Sequence, residues 1–389
     1  MRLVTILIAS GLPSSRSVTP SARTHSLKSS IFSAFINLPF KSIRNSDFHN
    51  HPHRKDQKMF STSSFETDKA NLLKCPNIML QNGQTHPAIG FGTYKVGFIP
   101  ASASSVTAAN SASSNTVERT AEECVADALA CGYRFLECAE FYGNEGEVGK
   151  AIAKSNIPRE ELFICSKVWT STIEKGDAAI REQFQKTCDD LGTDYLDLYL
   201  VHWPVPGKHV EAYKTLEDLH LEGKIKGIGF SNYAVEDYLE VKDNDMRVKP
   251  VVNQIEINPF LYRKNTIDFF QKEGIQLQSY RSLRDGKAFT NPTLVKIAKK
   301  HDKTTAQILG RWCVQNKFIY IPKSVKKERM IENGKVFDFE LSIDEMKELN
   351  ELTSDETFQT FQALYRKCVN RDTSKDGTMD GVKMEITID

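Results

Sequence analysis

From residue 88 onward the chain repeats one alternation, in which short runs rich in β-branched and aromatic residues give way to longer amphipathic runs. The short runs are AIGFGTYK (88–95), YRFLECA (133–139), LFICSKVW (162–169), LDLYLVHWP (196–204), IKGIGFSNY (225–233), VVNQIEIN (251–258), LQSY (277–280) and FIYIPKSV (318–325). Between them lie helical patterns such as TAEECVADALA, AAIREQFQKTCDDLG, AYKTLEDLHLEG, NTIDFFQKEG and TTAQILGRWCVQN, several closing on a glycine suited to a helix C-terminus. Eight strand-then-helix units in one domain of this size predict a parallel α/β fold, the (β/α)8 or TIM barrel, rather than a doubly wound sheet. An N-terminal β-hairpin cap is expected ahead of it, because NIML and the run after His86 are split by QNGQ with its Asn-Gly turn signal.

The barrel is expected over 71–352, with two interruptions of the pattern and a C-terminal extension, 353–389, that follows no recognisable period. Residues 1–46 contain no Asp or Glu while Arg2, Arg16, Arg23, Lys28, Lys41 and Arg44 stand among many serines, so 1–70 reads as an organelle (mitochondrion or plastid) transit segment. The alternative is a disordered tail on a cytoplasmic protein. PASASSVTAANSASSN (100–115) has almost nothing to bury and reads as a surface insertion. With 40% hydrophobic and 26% charged residues and a formal net charge of +1, no nucleic-acid partner is implied. The apolar run at 3–12 is about half of what a membrane span needs, so none is expected. The eight cysteines form no CxxC pair and no metal-ligand spacing, which predicts a reducing compartment and no metal.

Chemistry in such a barrel gathers at the C-terminal ends of the strands. There the second strand brings Glu137 and, just beyond it, Tyr142; the third brings Lys167 and Trp169; the fourth brings His202 and Trp203. Alone, a strand-end lysine is usually a solvated rim charge and a lone histidine more often a satisfied core residue, but together these groups have a mechanistic logic. A tyrosine is a poor acid near neutrality unless an ammonium favours its phenolate, and Glu137 can hold Lys167 in that role beside Tyr142. His202 can orient a carbonyl oxygen. No GxGxxG nucleotide fingerprint is present, so a dinucleotide must be held in another way.

The motifs GYRFLECAEFYGNEGEVGKAI, LFICSKVW, LDLYLVHWP, KIKGIGFSN, VVNQIEINP and IPKSVKKERMIENGKVFDFELS occur in an order and spacing that resemble the aldo-keto reductases, NADPH-dependent barrel enzymes that reduce aldehydes and ketones. The resemblance implies an NADPH/NADP cofactor, a small-molecule carbonyl substrate and a monomer. It places the catalytic tyrosine, lysine and histidine on Tyr142, Lys167 and His202, and the nicotinamide contacts on Ser231, Asn232, Gln254 and the ring-stacking Tyr280. Thr93, Tyr94 and Leu283 fall at cofactor- or substrate-facing positions; Lys323, Ser324, Arg329 and Asn333 fall around the adenosine 2′-phosphate; Trp169 and Trp203 fall on the substrate wall.

Three departures stand out. The family's catalytic aspartate is Glu137 here, whose extra methylene either still permits pairing with Lys167 or leaves the tyrosine too weak an acid. The small glycine-containing loop after the seventh strand is Arg-Ser-Leu-Arg-Asp-Gly at 281–286, whose arginines either grip phosphates or hinder closure. The insertion at 100–115 follows the first strand, at the catalytic rim. The rival expectation is therefore an NADPH-binding sensor or regulatory protein with weak or lost reductase activity.

Overall fold

Two strands, β1 (Asn77–Met79) and β2 (Thr85–Pro87), form an antiparallel hairpin in which Ile78 pairs with His86. The turn between them closes through Gly83, which donates to the Leu80 carbonyl at 2.9 Å and adopts φ +83°, a left-handed conformation open to glycine at no steric cost. The computed structural model describes residues 73–97 and 119–362. The expected targeting segment (1–70), the low-complexity insertion (100–115) and the C-terminal extension beyond 362 lie outside the described residues.

All eight short runs become strands: β3 (Phe91–Gly92), β4 (Phe135–Glu137), β5 (Phe163–Val168), β6 (Leu198–Val201), β7 (Ile228–Ser231), β8 (Val252–Glu256), β9 (Gln276–Tyr280) and β10 (Ile319–Tyr320). Each pairs in parallel with the next in chain order. The ring closes where Ile89 bridges Tyr320, with Gly90 donating to the Tyr320 carbonyl and Tyr320 to the Ala88 carbonyl, both at 2.9 Å. This is the (β/α)8 barrel the pattern predicted.

The helices between strands include α1 (Ala121–Ala130), α2 (Glu145–Ser155), a single turn α3 (Thr170–Ile173), α4 (Asp177–Leu191), α5 (His209–Leu221), α6 (Val235–Lys242) and α7 (Lys264–Lys272). Two helices, α8 (Pro292–His301) and α9 (Thr305–Gln315), precede β10, and α10 (Lys327–Gly334) and α11 (Ile343–Asn350) follow it. Gly192, Gly223 and Gly274 follow α4, α5 and α7 at φ +67°, +78° and +77°, as their terminal positions led one to expect. The described part of the C-terminal segment folds back on the barrel: Thr353 Oγ1 donates to the Pro259 carbonyl at 3.1 Å and Arg263 lies 4.5 Å over the buried ring of Phe361. No described helix is long and apolar enough to cross a membrane.

Strand parity decides what fills the barrel. Phe135, Phe163, Cys165, Leu198, Leu200, Val252, Ile319 and Ile321 form an apolar cluster of their own, while their strand neighbours Leu136, Ile164, Val168, Tyr199, Val201, Phe230, Ile255 and Leu277 belong to the large cluster under the helices. Because successive strand side chains face opposite sides, Glu137 shares the inward parity of Phe135, Lys167 that of Phe163 and Cys165, and His202 that of Leu198 and Leu200. The apolar layer is tightly filled, since a Cβ on Gly90 would come within 2.1 Å of the Phe135 ring.

Behind the sheet, among the described residues, sits one buried acid with no ion pair. Glu145, in the first turn of α2, accepts only from the hydroxyls of Ser166 (2.6 Å) and Thr187 (3.0 Å), and burial raises its pKa to about 7. The positive end of α2 opposes this by under about 1 kcal/mol and does not change the sign. A carboxyl that holds its proton more tightly when folded contributes stability fully present below its ordinary pKa of 4.5 and lost as pH rises through about 7. Glu145→Gln is therefore expected to remove about 3 kcal/mol of pH dependence between those values. Urea midpoints of both proteins at pH 5 and pH 7.5 check it; parallel shifts in the two would contradict it.

Candidate active site

The inward parity of three neighbouring strand ends brings Glu137, Lys167 and His202 to one rim, and a tight turn adds Tyr142. After β4 the chain makes a single 3-10 turn, Glu140–Tyr142, in which Tyr142 donates its backbone N–H to the Ala139 carbonyl at 3.0 Å; Gly143 then exits at φ +67°. Tyr142 is thereby folded back over its own strand.

There the Tyr142 hydroxyl donates to Glu137 Oε1 at 2.8 Å and accepts from Lys167 Nζ at 3.0 Å, while Lys167 also pairs with Glu137 Oε1 and donates to the Cys138 carbonyl at 2.9 Å. The three ammonium protons have three acceptors, as a fully buried lysine requires. The longer glutamate side chain thus keeps its pair with Lys167 and also reaches the phenol. Burial, and after it the adjacent Glu137 carboxylate, hold the phenol well above its ordinary range, with the Lys167 ammonium on the same hydroxyl. Burial and the Lys167 charge hold His202 well below its ordinary value, so its imidazole is neutral with one N–H to give.

Glu137, Tyr142 and His202 open onto a cleft of about 990 Å³, with Lys167 buried behind them. At one end stand Tyr94, Phe141, Trp169 and Trp203, with Phe141 stacked on Trp169 at 4.0 Å and Tyr94 5.1 Å from the Tyr142 ring. At the other, Ser231, Asn232, Gln254 and Tyr280 line the wall, and the Tyr280 hydroxyl donates to Asn232 Oδ1 at 2.7 Å. Asn232 in turn donates to the His202 carbonyl at 3.0 Å, at φ +61°. Beyond them lie Leu283, Lys323, Ser324, Arg329 and Asn333. Lys323 makes no ion pair among the described residues, and the protein around it lowers its pKa by desolvation, the setting of a cation suited to an anionic ligand. Thr93, like Lys167, is fully buried and does not line the cleft; its hydroxyl donates to the Glu137 carbonyl at 2.9 Å and so braces the strand that carries the acid.

The two loop arginines do different things. Arg281 faces the cleft and is held by Glu256 at 3.0 Å, whereas Arg284 lies 5.1 Å over the Phe260 ring and does not line the cleft. Arg281, Arg284 and Asp285 adopt φ +49°, +49° and +55°, a left-handed backbone usually reserved for glycine.

Sequence reasoning missed three contributors. Phe141 completes the aromatic wall. Glu140 accepts from the Trp169 backbone and the Thr172 hydroxyl, each at 2.6 Å, and so pins that wall to the tyrosine turn. Asn144 donates to the carbonyls of Thr93 and Val96, each at 2.9 Å, tying the first rim loop to α2. Their only signal was their place beside Tyr142.

A profile described as the Aldo/keto reductase family matches residues 89–354. The chain is 40% identical over 279 residues to a glyoxal reductase of Bacillus subtilis, covering 72% of this chain and 93% of that protein. Its fold is similar to an aldose reductase of Schistosoma japonicum (TM-score 0.65, 32% identity, 78% of this chain and 100% of that one). It is also similar to a Bombyx mori aldo-keto reductase solved in complex with NADP (TM-score 0.62, 28% identity, 72% and 92%).

Proposed function

Because the chain belongs to the aldo/keto reductase family, we propose that it is an NADPH-dependent reductase of small or medium aldehydes and ketones, aldoses among them. The observation that carries this reading is the bonded set Glu137, Lys167 and Tyr142 beside a neutral His202, at a cleft also lined by Trp169, Trp203, Ser231, Asn232, Gln254 and Lys323. Ser231, Asn232 and Gln254 would hold the nicotinamide carboxamide, Tyr280 would stack on its ring, and Lys323 and Arg329 would take the 2′-phosphate, favouring NADPH over NADH. Bound NADPH supplies the hydride.

Tyr142 gives the proton to the carbonyl oxygen. Its hydroxyl must exchange the Glu137 acceptor for the substrate oxygen, and Lys167, already donating to that hydroxyl, stabilises the phenolate left behind. His202 donates its single N–H to the same carbonyl and sets its orientation. Trp169, Trp203 and Tyr94 wall the substrate, which argues for apolar substituents.

One observation favours a second reading, an NADPH-binding sensor or regulatory protein: the phenolic proton is engaged by the Glu137 carboxylate and the phenol is a weaker acid for it. The full chain should be assayed for NADPH consumption across aldehydes, ketones, aldoses and α-dicarbonyls, beside Glu137→Asp. Turnover by the wild type is the expected result. An inert wild type that binds NADPH and gains turnover in Glu137→Asp would establish the second reading instead.

A further inference from the structure

The barrel floor contains a polar side chain where an apolar one would suffice. The hairpin β1–β2 sends His86 into the apolar layer, where its ring is fully buried, 4.5 Å edge-on from Phe135 and 3.9 Å from Phe163. Desolvation lowers its pKa to about 3, so the imidazole is neutral and carries one N–H.

Its hydrogen bonds have only one consistent direction. Nδ1 lies 2.8 Å from the Pro87 carbonyl, which can only accept, so the proton is on Nδ1 and Nε2 presents a lone pair. Gln278 lies 2.9 Å from that lone pair, so it must turn its amide nitrogen toward His86 and its oxygen away. The oxygen then accepts from the Gln254 amide nitrogen at 2.9 Å, across the register pair that joins β8 and β9. With its nitrogen tied to Gln278, Gln254 keeps its amide oxygen, turned away from Gln278, and one further N–H outside the series, and Gln254 lines the cleft.

An isolated glutamine would present nitrogen or oxygen with similar ease. Here a carbonyl at the bottom of the barrel determines which atom faces the site at the top, through three buried side chains in series. We propose that His86 is a positioning residue for the cofactor: through Gln278 it holds Gln254 as a hydrogen-bond acceptor, so that the nicotinamide carboxamide is bound through its NH2 group in one orientation. This rests on the reductase reading for the presence of a nicotinamide dinucleotide, and it assigns a function to two residues, His86 and Gln278, that the reaction itself does not use.

The test compares binding of NADP+ and of its 3-acetylpyridine analogue, which has a methyl group in place of the carboxamide NH2, by quenching of the protein's tryptophan fluorescence. Wild type is expected to prefer NADP+ by roughly tenfold, the worth of one well-placed hydrogen bond. In His86→Leu, where Gln278 loses its acceptor and both amides are free to turn, that preference is expected to fall close to one. His86→Gln restores an amide oxygen on the floor and is expected to recover most of it. Gln278→Met breaks the same series without touching the hairpin, and serves if His86→Leu fails to fold. A general loss of packing would weaken both dinucleotides alike and leave their ratio unchanged. A wild-type ratio retained in the folded broken-series variants, or no preference in wild type, would overturn the inference. Failure of wild type to bind either dinucleotide would overturn the reductase reading, and this one with it.

Discussion

Tyr142→Phe is expected to lower kcat for carbonyl reduction by about 10² to 10⁴-fold, the usual worth of a positioned general acid, with NADPH affinity unchanged. The fold should survive. The ring keeps its neighbours Tyr94 and His202, at 5.1 and 6.0 Å, and Lys167 and Glu137 keep each other. One ammonium proton loses its acceptor, which costs about 1 kcal/mol. Steady-state kinetics with the best substrate, beside NADPH titration by fluorescence, check it. Undiminished turnover would remove Tyr142 from the chemistry and make His202, which lines the same cleft, the next proton donor to test.

The largest expected loss of stability belongs to Lys167→Met. Lys167 is wholly buried, and without it the Glu137 carboxylate remains in the barrel with only the Tyr142 hydroxyl as partner. Removing one member of a buried pair costs about 3–5 kcal/mol, because the other stays desolvated and uncompensated. Adding Glu137→Gln removes that orphaned charge, so the double variant should recover most of the stability. It should recover none of the turnover, since no cation then stands beside the phenolate. Urea denaturation of the single and double variants separates the two effects. A single variant as stable as wild type would mean that Glu137 is not held as a carboxylate by Lys167.

Most of the architecture was readable along the chain for a simple reason: in a parallel barrel each strand is covered by its own following helix, so the period of hydrophobicity reports local structure directly. The strands at 135–137 and 163–168 were visible this way, whereas the parity that turns Glu137 and Lys167 inward came from the folded clusters. The polar ends of those strands were visible too, because a barrel's chemistry lies where its strands stop. Less legible were interactions between segments far apart in the chain. Nothing near Glu140 announces that its carboxylate will hold the Trp169 backbone, and nothing near Thr93 shows that its hydroxyl faces the Glu137 carbonyl rather than the cleft.

The direction of the Tyr142 shift shows the same division. Residue types alone put a lysine beside a tyrosine and suggested a lowered phenol pKa. The folded environment adds two effects in the opposite direction, because desolvation acts on the phenolate whatever its neighbours, and the longer Glu137 side chain brings a carboxylate to the same hydroxyl. His86 carries no motif at all: its role in the series His86, Gln278 and Gln254 depends on three separate elements meeting inside the barrel.

Period and residue type therefore determined, from the sequence alone, the barrel, its hairpin cap, the rim that carries the polar side chains and the family they resemble. Only the tertiary structure decided which hydrogen-bond donor faces which acceptor and which charges are stripped of water. Those depend on how closely side chains 30 to 192 positions apart in the chain approach one another, and no local pattern encodes that.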